Sequence, residues 1–331
     1  MATSTPWITA KTTAGWGPRH ATPGTDVVYY PVNDMPPMNP RSFSTAPGRR
    51  FASMYQRMQN RYTSEGTGGM TVNVDLTGQS ALSTAWYGGA LLEACGFDKS
   101  GSTIFSYTLA SPNVGDGNVV RADMQTWDQD SRVVGIADCV GGAVISVTAG
   151  QIPNITFNMV GIPSINTTAL VEAVSVTTPP FGVAACGATF TLESVALILR
   201  SLTISTNPVI AMRPSVAGTY GYAAPCITGY ECSALARVEL DTTSLNPETI
   251  FTGATPNQVL ELSCKLPAGG CGVDAGADFV TITGDFQIDG QPQRVDDDGI
   301  ICLDIPLILD PSTIDATADT TNGLKIAWTA S

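Results

Sequence analysis

The chain has 331 residues and a formal net charge of −13, which argues against a body that grips nucleic acid, because phosphate is repelled by it. A hydrophobic content of 43% excludes a wholly disordered chain. The 33 Gly and 22 Pro cut it into many short elements, in one large all-β domain or two modest ones.

The charge is uneven along the chain. Residues 1–65 carry seven basic side chains against three acidic, about +4, and the remainder carries nine against 26, about −17. The first segment is Pro-rich, with Pro36, Pro37 and Pro40 typical of it, and it spaces out aromatics such as Trp7, Tyr29 and Tyr55. That pattern predicts a long irregular arm over 1–65 that lies along another surface. Within it, Arg49–Arg61 (RRFASMYQRMQNR) has the spacing of a short amphipathic helix. Arg49, Arg50, Phe51, Tyr55, Arg57 and Arg61 are the candidate contacts of this arm with a neighbouring copy.

The β domain is expected over 66–331. Met70–Leu76 alternates, with Val72, Val74 and Leu76 on one face, and predicts a strand. Ser80–Phe97 (SALSTAWYGGALLEACGF) predicts a helix over about 80–96, the one convincing helix in the chain. Leu82, Trp86 and Leu91 lie on its apolar stripe and are expected to pack on a sheet. Ser80 or Ser83 caps its start and Gly96 ends it in the left-handed conformation.

Strands are expected next at Ser102–Leu109, Val119–Trp127 and Ser131–Thr148, the last broken near Gly141-Gly142. Between the second and third lies an acidic tip, and Asp123, Asp128 and Asp130 are its candidate acids for contact with another molecule. Ile152–Val160 alternates again. Later candidates are Thr189–Thr203, Val209–Met212, Ala234–Leu240, Gln258–Cys264, Phe279–Ile288, Ile300–Leu309 and Leu324–Thr329. Asp289-Gly290 reads as a hairpin turn, and Gly284 as a bulge. About a dozen strands with one helix favour a closed barrel or a sandwich.

Motifs for catalysis do not emerge. His20 is the sole histidine, and it sits in the Pro-rich segment. Phosphate loops, dinucleotide glycines and nucleophile elbows are missing. Asp296-Asp297-Asp298-Gly299 lacks the alternating ligands and closing Glu of a calcium loop and reads as a solvated turn. The eight Cys fit no zinc spacing and are expected as buried, small apolar residues. No run approaches 18 apolar residues, so no membrane insertion is expected, and Met1–Ala10 does not read as a secretory leader. The reading is of a protein without enzyme activity, cofactor or metal.

Residues 70–109, with LLEACGF closing the helix and TIFSYTL following, resemble the tail tube proteins of long-tailed bacteriophages. Ala149–Pro163 (AGQIPNITFNMVGIP) and Ile204–Glu239, with Asn207 before a strand and Ile227-Thr-Gly-Tyr opening another, are similar to later parts of that family. The resemblance spans roughly 66–310, and the Pro-rich start and eight Cys depart from it. It implies a mainly β fold, a β-sandwich or barrel of tail-tube type with one flanking α-helix. It implies rings of six copies, stacked around a tape-measure protein, with tail terminator and baseplate or tip proteins at the ends. DNA would pass down the lumen without sticking, in a virion tail assembled in the host cytoplasm. Another virion β-protein (capsid, decoration or tail fibre) is the alternative, ahead of a glycan-binding module or an enzyme.

Overall fold

The computed structural model describes residues 7–14, 28–31, 42–45, 49–50, 57–58, 61–65, 68–76, 86, 88–101, 105–109, 120–127, 133–166, 188–192, 195–216, 222–240, 260–267, 279–310 and 323–329. The fold is mainly β. The first 65 residues hold β1 (Trp7–Ala14), β2 (Val28–Pro31), β3 (Ser42–Thr45), β4 (Arg49–Arg50), β5 (Arg57–Met58) and β6 (Arg61–Glu65). There follow β7 (Gly68–Asp75), α1 (Gly89–Ala94), β8 (Phe97–Ser100), β9 (Ser106–Leu109), β10 (Val120–Trp127), β11 (Val133–Thr148) and β12 (Asn154–Asn166). The second half adds β13 (Thr189–Leu192), β14 (Val195–Leu197), β15 (Leu199–Ser205), β16 (Pro208–Ala211), β17 (Cys226–Tyr230) and β18 (Ser233–Glu239). It closes with β19 (Leu260–Pro267), β20 (Phe279–Ile288), β21 (Gln293–Asp297), β22 (Ile300–Leu309) and β23 (Lys325–Thr329).

One sheet gathers 17 of these strands. Three strands act as its branch points, β11, β20 and β22, the last with β18 on one edge and β21 then β20 along the other. β11 pairs along one edge with β12, which continues to β7. Along its other edge, residues 133–139 face β10, and β1 and β2 lie beyond. Farther along that same edge, residues 144–148 face β15. From β15 the order runs through β18, β22, β20 and β19 to β13 and β14. β20 branches likewise: residues 286–288 meet β22, while 279–283 meet β23, which continues to β9 and β8.

Alternation explains the core. Met70, Val72 and Val74 of β7 are buried while Thr71, Asn73 and Asp75 face out. Ile155, Phe157 and Met159 do the same on β12, and Leu303, Ile305, Leu307 and Leu309 on β22. These side chains, with Leu260, Leu262, Val280, Ile282 and Trp328, form one continuous apolar cluster. A fully buried side chain of this size contributes about 1.5–3 kcal/mol relative to exposure.

Several elements differ from expectation. The first 65 residues are not irregular throughout: β1 runs antiparallel to β10 from Trp7 opposite Trp127 to Ala14 opposite Val120. Its Thr- and Ile-bearing stretch WITAKTTA suits a strand, and the prolines lie outside it. The described parts of Arg49–Arg61 are strand, not helix. Arg49 pairs with Met58 and Arg50 with Arg57 across a two-strand ribbon, β3 pairs with β6, and a lone helix of that length would nucleate poorly.

The helix is shorter than its sequence stripe. α1 spans six residues, starts after Gly88 without a side-chain cap, and excludes Trp86. Residues 80–85, with both candidate serine caps and Leu82, lie outside the described residues. The first residue of α1 has a steric constraint. A Cβ at Gly89 would overlap the Tyr107 hydroxyl, so glycine lets β9 approach. Gly96 ends the helix as expected, at φ +88.

Other expected breaks moved. Thr189–Thr203 is no single strand but the hairpin β13–β14 followed by β15. Gly141-Gly142 stays inside the β11 ladder, and the bulge falls between Ala137 and Val140. Gly284 holds register opposite Leu262, so it marks no bulge. The tight turn is Asp298-Gly299, both at positive φ (53° and 82°), joining β21 to β22. Asp289-Gly290 instead interrupts a run in which β20 and β21 both lie along β22.

Candidate assembly surfaces

The surroundings of α1 are set by aromatic packing. Trp86 stacks on Trp328 of β23, with ring centroids 5.4 Å apart and planes 25° apart. Tyr107 meets Trp328 edge-on at 5.6 Å. Leu91 and Leu92 are fully buried, and the helix lies against β1, β10, β11, β8 and β9. Leu91 therefore packs on the sheet as expected, while Trp86 joins the core from before the helix. Burial raises the Glu93 carboxyl above its ordinary value, Lys99 opposing that and Asp98 adding to it. Tyr230 of β17 donates its hydroxyl to the Cys95 carbonyl at 3.3 Å, tying the β16–β17 ribbon over the helix end.

Asp123 does not sit on an exposed tip. It is 3% exposed on β10, and its Oδ1 accepts the Asp138 backbone N–H at 2.7 Å. Asp138 stands at φ +52, in the bulge of β11. The carboxylate is an internal brace for a strained residue; it lies in the phase of Arg121, opposite the core-facing Ala122 and Met124, on a strand buried on both faces at a register shift between Ala122 and Met124. Arg121, also 3% exposed, lies nearby; burial lowers its guanidinium below the ordinary value and Asp138 opposes that. Asp128 and Asp130 lie outside the described residues, as do Phe51 and Tyr55. Arg49, Arg50, Arg57 and Arg61 stand on β4, β5 and β6.

Cysteines follow the expected burial where they are described. Cys95, Cys139, Cys232, Cys264 and Cys302 are buried free thiols, and Cys226 is half-buried. Burial pushes the Cys232 and Cys264 thiols up to about 12. Among the described residues, no group of three or more His, Cys, Asp or Glu is placed to hold a metal ion. No helix among them is long and apolar enough to cross a membrane.

Two kinds of surface remain for contact with other molecules. The first is open sheet edge: among the described residues, β7 pairs with β12 alone and β8 with β9 alone. The second is the outward face of β15, β18 and β22, which the sequence reading missed. Leu235 and Ile308 stand out from it, 45% and 38% exposed. The signal was present in Ser233–Glu239 (SALARVE): Ala234, Ala236 and Val238 occupy the buried phase, which leaves Leu235 in the phase of Arg237 and Glu239. Two ion pairs cross the same strands. Arg237 donates to both Asp304 oxygens at 2.7 and 3.0 Å, and Arg200 meets Glu239 at 2.6 Å.

Comparison of the chain with protein-family models and with curated proteins gave no match.

Proposed function

We propose that the chain is a structural subunit of a phage tail tube, with the β-sandwich or barrel form of that family. Copies join into rings, probed below as hexamers, and rings stack around a tape-measure protein between terminator and baseplate or tip proteins. The acidic body lines a passage through which DNA slides into the host. The protein acts in the virion tail, is assembled in the host cytoplasm, and performs no catalysis.

The observation that carries this reading is the set of open strand edges on one large antiparallel sheet, β7 the longest of them. An eight-residue edge such as β7 invites pairing with another chain. A monomer must guard against that, whereas a closed ring of copies uses it. The charge of about −17 over residues 66–331 suits a passage that repels phosphate. The resemblance of residues 70–109 and 149–163 supplies the family.

Negative-stain microscopy with mass measurement of the purified full chain tests the reading. Hollow rings or stacked tubes are expected, with six copies per ring. Shells or spikes would move the chain to another class of virion β-protein. A chain that stays monomeric at every concentration overturns the proposal.

A further inference from the structure

The outward face of β15, β18 and β22 combines exposed apolar side chains with charges that cancel locally. Of the eight large apolar residues exposed among the described residues, four lie on or beside these strands in the outward phase, Ile198, Leu235, Ile300 and Ile308, and Ile301 lies beside them in the phase of Leu303 and Ile305. Backbone pairing makes them neighbours. Leu235 stands opposite Pro306, Ser233 opposite Ile308, and the Leu240 N–H bonds the Ile301 carbonyl at 2.9 Å. The Ile198 carbonyl accepts from Glu239 at 2.9 Å. The four central charges, Arg200, Glu239, Arg237 and Asp304, are joined in two pairs.

We infer that this face is the contact surface for a second copy of the chain; the inference rests on the self-assembly in the tube reading and adds where copies touch. Electrostatics select the occupant. Two chains of net charge −13 repel each other over most approaches. On this face Arg200 and Arg237 already hold anions, so a second acidic chain meets apolar side chains, two neutral ion pairs and one further carboxylate, Asp297, beside Arg237. Nucleic acid is disfavoured for the same reason, since the Arg237 guanidinium is engaged by both Asp304 oxygens. Three strands of about seven residues cover roughly 330 Å² at the usual sheet spacings. That is about 40% of what one partner contributes to a standard interface. One such contact holds a dimer weakly; repeated around a closed assembly it contributes in every copy.

The test compares the full chain with the double variant Leu235→Glu/Ile308→Glu and with the control Val216→Glu, whose site is fully exposed on another ribbon. Sedimentation velocity over a concentration series reads the assembly threshold, and circular dichroism with thermal melting reads folding. The expected result is a threshold raised at least about tenfold in the double variant, because a new carboxylate would lose its water in the contact, and an unchanged threshold in the control. A folded double variant that assembles at the wild-type threshold overturns this surface and leaves the tube reading standing. Hydroxyl-radical footprinting of the wild-type chain does not depend on the variant folding. Leu235 and Ile308 are expected to label more slowly in assemblies than in dilute monomer, and equal labelling overturns the inference. A wild-type chain that never assembles overturns the tube reading as well.

Discussion

β11 and β20 solve the same problem in different ways. Each changes partner along one edge midway, β11 from β10 to β15 and β20 from β23 to β22. β11 does so with a bulge, a positive-φ Asp138 held by the buried Asp123 carboxylate, and glycines pressed against neighbouring backbone. β20 changes partner without a register shift against β19, and Gly284 at the switch lies against the Phe286 ring. One branch point is braced by polar groups and backbone contact, the other by side-chain packing. Backbone cannot yield and a ring can turn, so the first should tolerate change less.

Alanine at the paired glycines gives the widest separation. A Cβ at Gly141 would overlap the Asn158 carbonyl and crowd the Met159 backbone, so Gly141→Ala is expected to cost about 3 kcal/mol. At Gly284 the nearest atom is the Phe286 ring edge at 2.9 Å. Its movement, offset by alanine's better strand entropy, should leave a cost of about 1 kcal/mol. Denaturant unfolding of both variants checks the order, and equal losses would erase the distinction. Removing the polar brace comes next. Asp123→Ala deprives the half-buried Asp138 N–H of its acceptor and should cost about 1–3 kcal/mol, with faster amide exchange in β11 than in β20.

The smallest effects have the opposite sign. The Tyr107 hydroxyl is buried and, among the described residues, finds no hydrogen-bond partner. Tyr107→Phe, on the β20 side, should be neutral or stabilising by up to about 1 kcal/mol; a clear loss on unfolding would show that the hydroxyl is satisfied. Glu93, on the β11 side, gives a pH signature. Its folded value is raised above 4.5, so the protonated form is favoured on folding. The stability it contributes is present below pH 4.5 and is lost as pH climbs through the raised value. Glu93→Gln should match wild type at lower pH, exceed it at neutral pH, and unfold with a flatter pH profile between.

Much of the β character was legible. Val72 and Val74, or Ile155, Phe157 and Met159, announce strands because a period of two has one meaning at that length. Gly96 was legible because a left-handed helix end calls for glycine. The packing of Trp86 and Gly89 was not, since their partners Tyr107 and Trp328 come from strands later in the chain. Asp123 looked solvated because the acids near it in sequence are loop-like, whereas its burial follows from a bulge in another strand. The outer face was legible in one strand, where Leu235 shares the phase of Arg237 and Glu239, but the faces of β15 and β22 beside it emerge only from the pairing. Two Asp-Gly dipeptides were available, and sequence alone did not say that Asp298-Gly299 was the turn.

The scattered thiols make the molecule its own stopwatch. Cys139 lies on β11, Cys264 on β19 and Cys302 on β22, each buried and free. A thiol reagent reacts with the exposed thiolate, so in the closed state these positions are silent near neutral pH. Each would be alkylated only when its strand opens. Timing the modification of each residue by mass spectrometry would therefore rank the strands by how often they part, without a single engineered label.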